Sequence, residues 1–297
     1  MNVRTMHGVF LAGMLTVLSI GRAMGAISSA GSGLWTNPAS WSPAQVPGST
    51  DDVIIVAGHT NTISTNVTID IASLTIQTNG VLTHAANGTP AQGERYKVVL
   101  SVSNNLTIDL GGQINVDNKG YNASGPGYVG NYSGSSHGGK GSGLGPTYGS
   151  ITSPTNLGSG SSGGASESGG GAVLLVVAGT SIVNGVISAS DVGGNPYGSS
   201  GGSVFLITGT LTGSGALRAN GRILGGGGRI AVILTNSTDF GAIGMQAYGG
   251  SGNGNNYGTA GTIYQQHKDH PPNHGKLIVN NNNHSGDNWF YDNPAVQ

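Results

Sequence analysis

Apolar residues recur at every second position in short segments that are separated by polar turns. Residues 98–102, 106–108 and 114–116 show this alternation, and residues 53–56 form a short, continuous apolar segment bounded by polar residues and a glycine turn. An apolar period of two is typical of β-strands with one buried face. After Ala26 the chain sustains no apolar pattern with the 3.6-residue period of a helix. The pattern therefore predicts an all-β protein.

Strand-like segments begin again at Ala172, Ser203, Arg229 and Gly261. This spacing of about 30 residues is typical of stacked repeats. One such unit cannot bury its apolar side chains alone, whereas stacked units share a continuous core. We therefore predict that the units stack as coils with parallel strand pairing, as in a parallel β-helix. An up-and-down barrel or a β-sandwich is the alternative, since both also combine short strands with frequent turns.

Composition narrows the class of protein and of partner. Glycine contributes 56 of the 297 residues, and charged residues contribute only 8%. Hydrophobic residues reach 36%, which argues against disorder, and the glycines lack the three-residue period of collagen. The net charge is −1 without a basic run, so we expect no nucleic-acid partner. Because cysteine is absent, disulfides and thiolate metal sites are excluded.

The first 25 residues have the pattern of an export signal. Arg4 is followed by an apolar stretch over residues 9–20, and Ala23 and Gly25 supply small residues for cleavage. We predict that residues 1–25 are a signal peptide and that the mature chain is secreted or lies at the cell surface. We expect no transmembrane helix in the mature chain. An N-terminal anchor that is never cleaved is the alternative.

The segment after the signal has a distinctive order of residues: Gly, Trp, Asn-Pro-x-x-Trp, Pro, Asp-Asp, a short apolar strand and Ala-Gly-His-Thr. This order resembles the start of secreted bacterial parallel β-helix proteins of the pectin-lyase-like type, which include surface and autotransporter-passenger proteins with Gly-rich repeats. The resemblance implies a right-handed solenoid and an adhesive, structural or polysaccharide-processing role. The matching residues are Gly33, Trp35, Asn37, Pro38, Trp41, Pro47, Asp51, Asp52, Ala57, Gly58, His59 and Thr60.

The two tryptophans of this segment have a structural interpretation. A solenoid end exposes apolar core and unpaired backbone, so a terminal cap is needed. We predict that Trp35 and Trp41 belong to an N-terminal cap over residues 26–50, and that residues 51–297 form the β-helix. A sugar-binding aromatic pair is the alternative.

Residues 120–171 interrupt the repeat with a glycine-rich insertion that has almost no apolar run. We expect a long surface loop on one side of the solenoid, because ordering so many glycines is costly. The alternative is a binding loop in which tyrosine rings stack on sugars. The tyrosines in question are Tyr121, Tyr128, Tyr132 and Tyr148.

One histidine cluster contains possible metal ligands. His267, Asp269, His270 and His274 occur within eight residues, and imidazole and carboxylate groups bind zinc, copper or nickel. The adjacent prolines and the absence of a rigid element favour a solvated loop, with a metal site as the alternative. We predict no cofactor.

The acidic residues are scattered, and no catalytic constellation is visible in the sequence. Asp109, Asp117 and Arg218 are the residues that stacking would allow to approach one another. We therefore expect a non-catalytic structural or adhesive surface module, with polysaccharide or other cell-surface components as candidate partners. A polysaccharide lyase or glycoside hydrolase on the same fold is the alternative.

Overall fold

The computed structural model describes residues 25–130, 132–162, 166–194, 197–252 and 257–282. The predicted signal peptide lies outside the described residues except for Gly25. The described part contains no α-helix, and its only helical turns are 3₁₀ turns at Pro38–Ser40 and Pro90–Gln92. The prediction of an all-β protein is confirmed.

Most strands have two to six residues, and two longer strands have 12 and 10 residues. In chain order they are β1 (Ala26–Ser29), β2 (Gly33–Leu34), β3 (Trp41–Ser42), β4 (Asp52–Ile55), β5 (Thr60–Ile63), β6 (Ile69–Ile71), β7 (Ser73–Ile76), β8 (Val81–His84), β9 (Val98–Val102), β10 (Leu106–Ile108), β11 (Gln113–Asn115), β12 (Ser161–Ser162), β13 (Ser166–Glu167), β14 (Ala172–Val183), β15 (Val186–Ser188), β16 (Ser203–Thr212), β17 (Ala216–Arg218), β18 (Arg229–Leu234), β19 (Gly244–Gln246), β20 (Thr262–Gln266) and β21 (Lys276–Ile278).

Two parallel sheets contain nearly all of these strands. The larger sheet follows the order β21-β20-β18-β16-β14-β10-β7-β4-β1-β3, and β9 joins it beside β14 and β6. The second sheet follows the order β19-β17-β15-β11-β8-β5-β2. Within the described residues, the larger sheet is antiparallel only at its two ends, where β3 pairs with β1 and β21 with β20. The chain thus returns repeatedly to both sheets, and strands of successive units pair with each other in parallel.

Alternation along the strands places one apolar row of each sheet in a shared core. Val98, Val173, Val204, Ile230 and Ile263 are aligned across five neighbouring strands, and all five are buried. Burying a side chain of this size contributes about 1.5–3 kcal/mol. The stacked rows therefore supply the continuous core that a single unit lacks.

No helix of membrane-spanning length and hydrophobicity occurs among the described residues. After each of β11, β15, β17 and β19, the chain returns to the larger sheet through a glycine-rich segment. These return segments are residues 116–171, 189–202, 219–228 and 247–261. Together they form the side of the molecule on which the candidate site lies.

Candidate functional site

The described residues of the return segments form one packed layer, which we call the glycine layer. Backbone N–H groups of one segment donate to carbonyl oxygens of another, as between Gly139 and Gly227 at 2.8 Å and between Gly201 and Gly226 at 3.1 Å. The insertion was predicted to be a long surface loop; its described residues are mostly irregular in conformation and bond to the other return segments. The chain satisfies its backbone polar groups by bonding between segments rather than to solvent.

Close approach of backbones explains why these segments need glycine. A Cβ atom on Gly138 would lie 2.1 Å from the carbonyl oxygen of Gly228, and one on Gly226 would lie 2.1 Å from that of Gly139. No side chain fits at such distances, so glycine is required by packing here and not by flexibility. The entropic cost of ordering glycine is offset by the hydrogen bonds and contacts of the layer.

Two of the four predicted tyrosines are structural. Tyr121 is only 6% exposed, and its hydroxyl donates to Oε1 of Glu94 at 3.1 Å. The Tyr148 hydroxyl donates to the Leu157 carbonyl at 2.7 Å, and one face of its ring lies against His137 at a centroid distance of 4.5 Å. Burial is the main cause that raises the pKa of both phenols. The prediction that these two rings stack on sugars does not fit their packing.

The other two predicted tyrosines lie at the surface of the layer. Tyr132 is 64% exposed, and its ring meets Tyr197 edge to face at a centroid distance of 5.1 Å. Tyr128 is partly buried, and its hydroxyl shares a 2.6 Å hydrogen bond with Ser162. The N–H of Tyr132 donates to the carbonyl of the same Ser162 at 2.9 Å. The hairpin of β12 and β13 therefore positions both tyrosines.

Two exposed aliphatic residues lie in the same insertion as Tyr132, near it in the chain or in space. Val129 is 46% exposed and Leu144 is 57% exposed. Gly143, which precedes Leu144, lies so close to Val129 that a Cβ atom on it would be 2.2 Å from Cγ2 of that valine. We call the residues Val129, Tyr132, Leu144 and Tyr197 the aromatic patch. Tyr197, Val129 and Leu144 were not predicted as site residues from the sequence. They could have been noticed only as large apolar residues within glycine-rich segments.

Two patch residues have a backbone conformation that side chains rarely adopt. The φ angle is +62° at Tyr132 and +59° at Leu144. A non-glycine residue in this left-handed region costs on the order of 1–2 kcal/mol. Strain of this kind persists only where the surrounding structure enforces it, and it is concentrated at functional sites. Tyr132 and Leu144 combine this conformation with exposed side chains.

A buried carboxylate anchors the segment that contains Tyr197. Asp191 accepts hydrogen bonds from the N–H groups of Gly193 at 2.8 Å and Ser199 at 2.6 Å, and from the Asn118 amide at 3.0 Å. Burial, followed by the charge of Glu167, raises the pKa of Asp191 to about 6. The two ends of the segment are thereby tied together, which limits the positions open to the Tyr197 ring.

Beneath the layer, buried polar groups tie the insertion to the larger sheet. The Nδ1 atom of His137 is 2.8 Å from the Gly201 carbonyl, and burial is the main cause that lowers the pKa of His137 to about 3. Arg229 donates from Nε to the Tyr148 carbonyl at 2.8 Å and from Nη1 to Thr262 at 3.0 Å. Burial also lowers the pKa of Arg229 to about 10, so the guanidinium stays charged at neutral pH.

The predicted metal ligands do not form a metal site in the described structure. The rings of His267 and His270 stack at 3.6 Å, Asp269 pairs with Lys268 at 2.6 Å, and the His274 Nδ1 atom is 2.8 Å from the Pro272 carbonyl. Among the described residues, no group of three or more histidine, aspartate or glutamate side chains is arranged to hold a metal ion. In the turn before β21, His267 and His270 therefore pack on each other, whereas Asp269 and His274 have other partners.

The predicted cap residues lie at the β1 end of the larger sheet. Trp35 and Trp41 are both buried in the main core, with ring centroids 4.9 Å apart in an edge-to-face arrangement. Trp41 also donates from Nε1 to the Trp35 carbonyl at 2.8 Å. Because both rings are buried, neither offers a face to a sugar, and their position suits the predicted cap.

The acidic residues considered for catalysis are separated by a strand. Asp109 precedes β11, and Asp117 follows it. The Asp117 carboxylate accepts from the hydroxyl of Ser188 and from the N–H of Ser190 at 2.6 Å. Burial raises the pKa of Asp117, whereas the hydrogen bonds from those two serines and the charge of Arg218 act in the opposite direction. Asp117 therefore serves as a corner residue that connects two coils.

Comparison of the chain with protein-family models, with curated proteins and with solved structures gives no match. The candidate site therefore stands on its geometry alone. That geometry is a set of exposed and half-buried aromatic and aliphatic residues on a tightly packed, glycine-rich layer.

Proposed function

We propose that this chain is an exported, non-catalytic surface module that contacts polysaccharide through the aromatic patch. In this proposal the two parallel sheets and the glycine layer are the sides of a right-handed parallel β-helix, like that of pectin-lyase-like surface proteins. The parallel pairing between successive units supports the fold, and residues 1–25 support export. Polysaccharide or another cell-surface component is the proposed partner.

The observation that supports the binding role is the pair of rings formed by Tyr132, which is exposed, and Tyr197, which is half-buried. Exposed aromatic rings offer flat apolar faces to sugar rings, and phenol hydroxyls add hydrogen bonds at the edge. The tight packing of the glycine layer reduces the ordering cost of binding, because the display surface is already fixed. The left-handed backbone conformation at Tyr132 lowers stability, which is consistent with a residue retained for binding rather than for folding.

Binding to a panel of purified neutral and acidic polysaccharides tests the proposal, with the full chain and two variants, Tyr132→Gly and Tyr197→Ala. Each variant is expected to weaken binding about tenfold, which corresponds to roughly 1.4 kcal/mol. Tyr132→Gly removes the strain at φ +62° and is expected to keep or raise the resistance to denaturant, so its loss of binding cannot be attributed to unfolding.

Leu110→Ala is the control, because Leu110 is a highly exposed apolar residue outside the patch, in the turn between β10 and β11. It is expected to bind like the parent chain. Equal binding by all variants would exclude the patch as the contact surface. Release of unsaturated or reducing sugars by the parent chain would overturn the non-catalytic role in favour of a lyase or hydrolase.

A further inference from the structure

Three side chains beside the insertion bring together an amine, a carboxylate and a carboxamide. The Lys97 ammonium lies 2.5 Å from Oε2 of Glu94. The other carboxylate oxygen, Oε1, accepts from the Asn156 amide nitrogen at 3.3 Å. Glu94 thus bridges a possible nucleophile on the residue before β9 and a possible acyl group in the insertion.

The surroundings of these three residues favour chemistry between them. Glu94 also accepts from the Tyr121 hydroxyl at 3.1 Å and from the Leu157 N–H at 3.2 Å. Tyr121 and Leu157 are buried, so they limit solvent access on that side. The backbone carbonyl of Asn156 accepts from the Ser203 hydroxyl at 2.6 Å, which fixes the residue against the start of β16.

We propose that Lys97 and Asn156 become joined by an intramolecular isopeptide bond, with Glu94 transferring the protons. The Lys97 ammonium gives a proton to the Glu94 carboxylate, and the neutral Nζ atom attacks Cγ of Asn156. A bond forms between Nζ and Cγ, and the bond between Cγ and Nδ2 breaks. Glu94 returns a proton to the leaving nitrogen, which departs as ammonia and takes up the second lysine proton as ammonium.

Glu94 is in the ionised form that can accept a proton, but the contacts that keep it ionised also make it a weaker base, so the first proton transfer rests on its direct contact with the Lys97 ammonium. Burial by itself raises the pKa of this carboxyl, but the hydrogen bond and charge of Lys97, with the Leu157 and Asn156 donors, lower it below its ordinary value. The group is therefore a carboxylate at neutral pH, in contact with the ammonium that it must deprotonate. No oxidant or cofactor is required, because the reaction exchanges one amide for another.

The product would connect the insertion covalently to the start of β9. A chain without cysteine cannot form this connection through a disulfide. A cross-link between distant residues restricts the unfolded chain and so stabilises the folded one. This inference does not depend on polysaccharide binding, and either proposal can fail without the other.

Mass spectrometry of the full chain tests the inference directly. The intact mass is expected to be lower than the sequence mass by one molecule of ammonia. Trypsin is expected to leave Lys97 uncleaved, because its side chain is an amide. The digest should then contain residues 96–119 joined to residues 141–218, the fragments bounded by Arg95, Lys119, Lys140 and Arg218.

Lys97→Arg and Glu94→Gln are expected to show the full sequence mass with no joined fragment. Lys119→Arg, which changes a lysine that does not contact Glu94, is expected to keep both signatures. The inference is overturned if the folded parent chain has its full sequence mass and yields a separate fragment of residues 98–119. This result decides the question even if a variant fails to fold.

Discussion

Acid unfolding of this protein should be driven by two buried histidines. Burial is the main cause that lowers the pKa of His137 to about 3 and that of His84 to about 4. In the unfolded chain both imidazoles have a pKa of about 6.5. At pH values between the folded and the unfolded pKa, the unfolded chain binds more protons than the folded chain. The contribution of each neutral histidine to the free energy of unfolding is therefore fully present above about pH 6.5 and is lost as the pH decreases toward the folded pKa.

The size of the effect follows from the two shifts. Each proton that is bound on unfolding changes the free energy of unfolding by about 1.4 kcal/mol per pH unit. From about pH 6.5 to pH 5, each histidine therefore removes about 2 kcal/mol, and the pair removes about 4 kcal/mol. A domain is typically stable by about 5–15 kcal/mol, so this loss is a large fraction of the total.

The substitution His137→Asn isolates one of the two contributions. The asparagine amide can replace Nδ1 as the donor to Gly201, but it does not titrate, and it loses the ring contact with Tyr148. The variant is expected to be less stable than the parent at neutral pH and to lose about 2 kcal/mol less between about pH 6.5 and pH 5. Urea unfolding at a series of pH values measures both effects.

His274→Asn is the control, because His274 is an exposed histidine in the turn before β21. It is expected to leave the pH dependence unchanged. The reasoning is refuted if His137→Asn and the parent chain lose stability in parallel as the pH decreases, since that result would mean that His137 is protonated in the folded state.

Two further predictions concern the glycine layer. Gly226→Ala is expected to lower the free energy of unfolding by about 3 kcal/mol or to prevent folding, because its Cβ atom would lie 2.1 Å from a backbone oxygen. Gly31 has open space around it, so Gly31→Ala should change the stability measured by urea unfolding by less than about 0.5 kcal/mol. Similar values for the two variants would contradict the packing argument. The raised pKa of Asp191 means that its contribution to stability is fully present below about pH 3.8 and is lost as the pH rises through about 6. Asp191 therefore offsets part of the loss caused by the histidines by about 3 kcal/mol on acidification through this range, so Asp191→Asn should lose more stability than the parent, and an unchanged pH profile would be evidence against it.

The strands could be predicted from the sequence because alternation is a local property. The predicted segments 98–102 and 106–108 coincide with β9 and β10, and the predicted unit starts at Ala172, Ser203 and Arg229 are the first residues of β14, β16 and β18. The pairing of successive units was also predicted, and the observed pairing is parallel, except at the ends of the larger sheet. Local propensity does not determine how a terminal strand pairs.

The candidate site could be predicted only in part. Tyr128 and Tyr132 were identified by residue type, but Tyr121 and Tyr148 have the same type and sequence context and are held inside the layer by Glu94 and Leu157. Tyr197, on a different return segment, meets Tyr132 only because the segments stack. A tyrosine in a glycine-rich segment is thus compatible with either location.

The sequence by itself determined the all-β class, the repeat and the positions of most strands, because each depends on residues that are close in the chain. The tertiary structure alone decided that the glycine-rich segments pack as a layer, that the histidine cluster is not arranged to hold a metal ion in the described residues, and that Glu94 meets both Lys97 and Asn156. These outcomes depend on contacts between residues far apart in sequence. A glycine has no side chain to indicate its neighbours, so its packing is known only when the opposing backbone is in place.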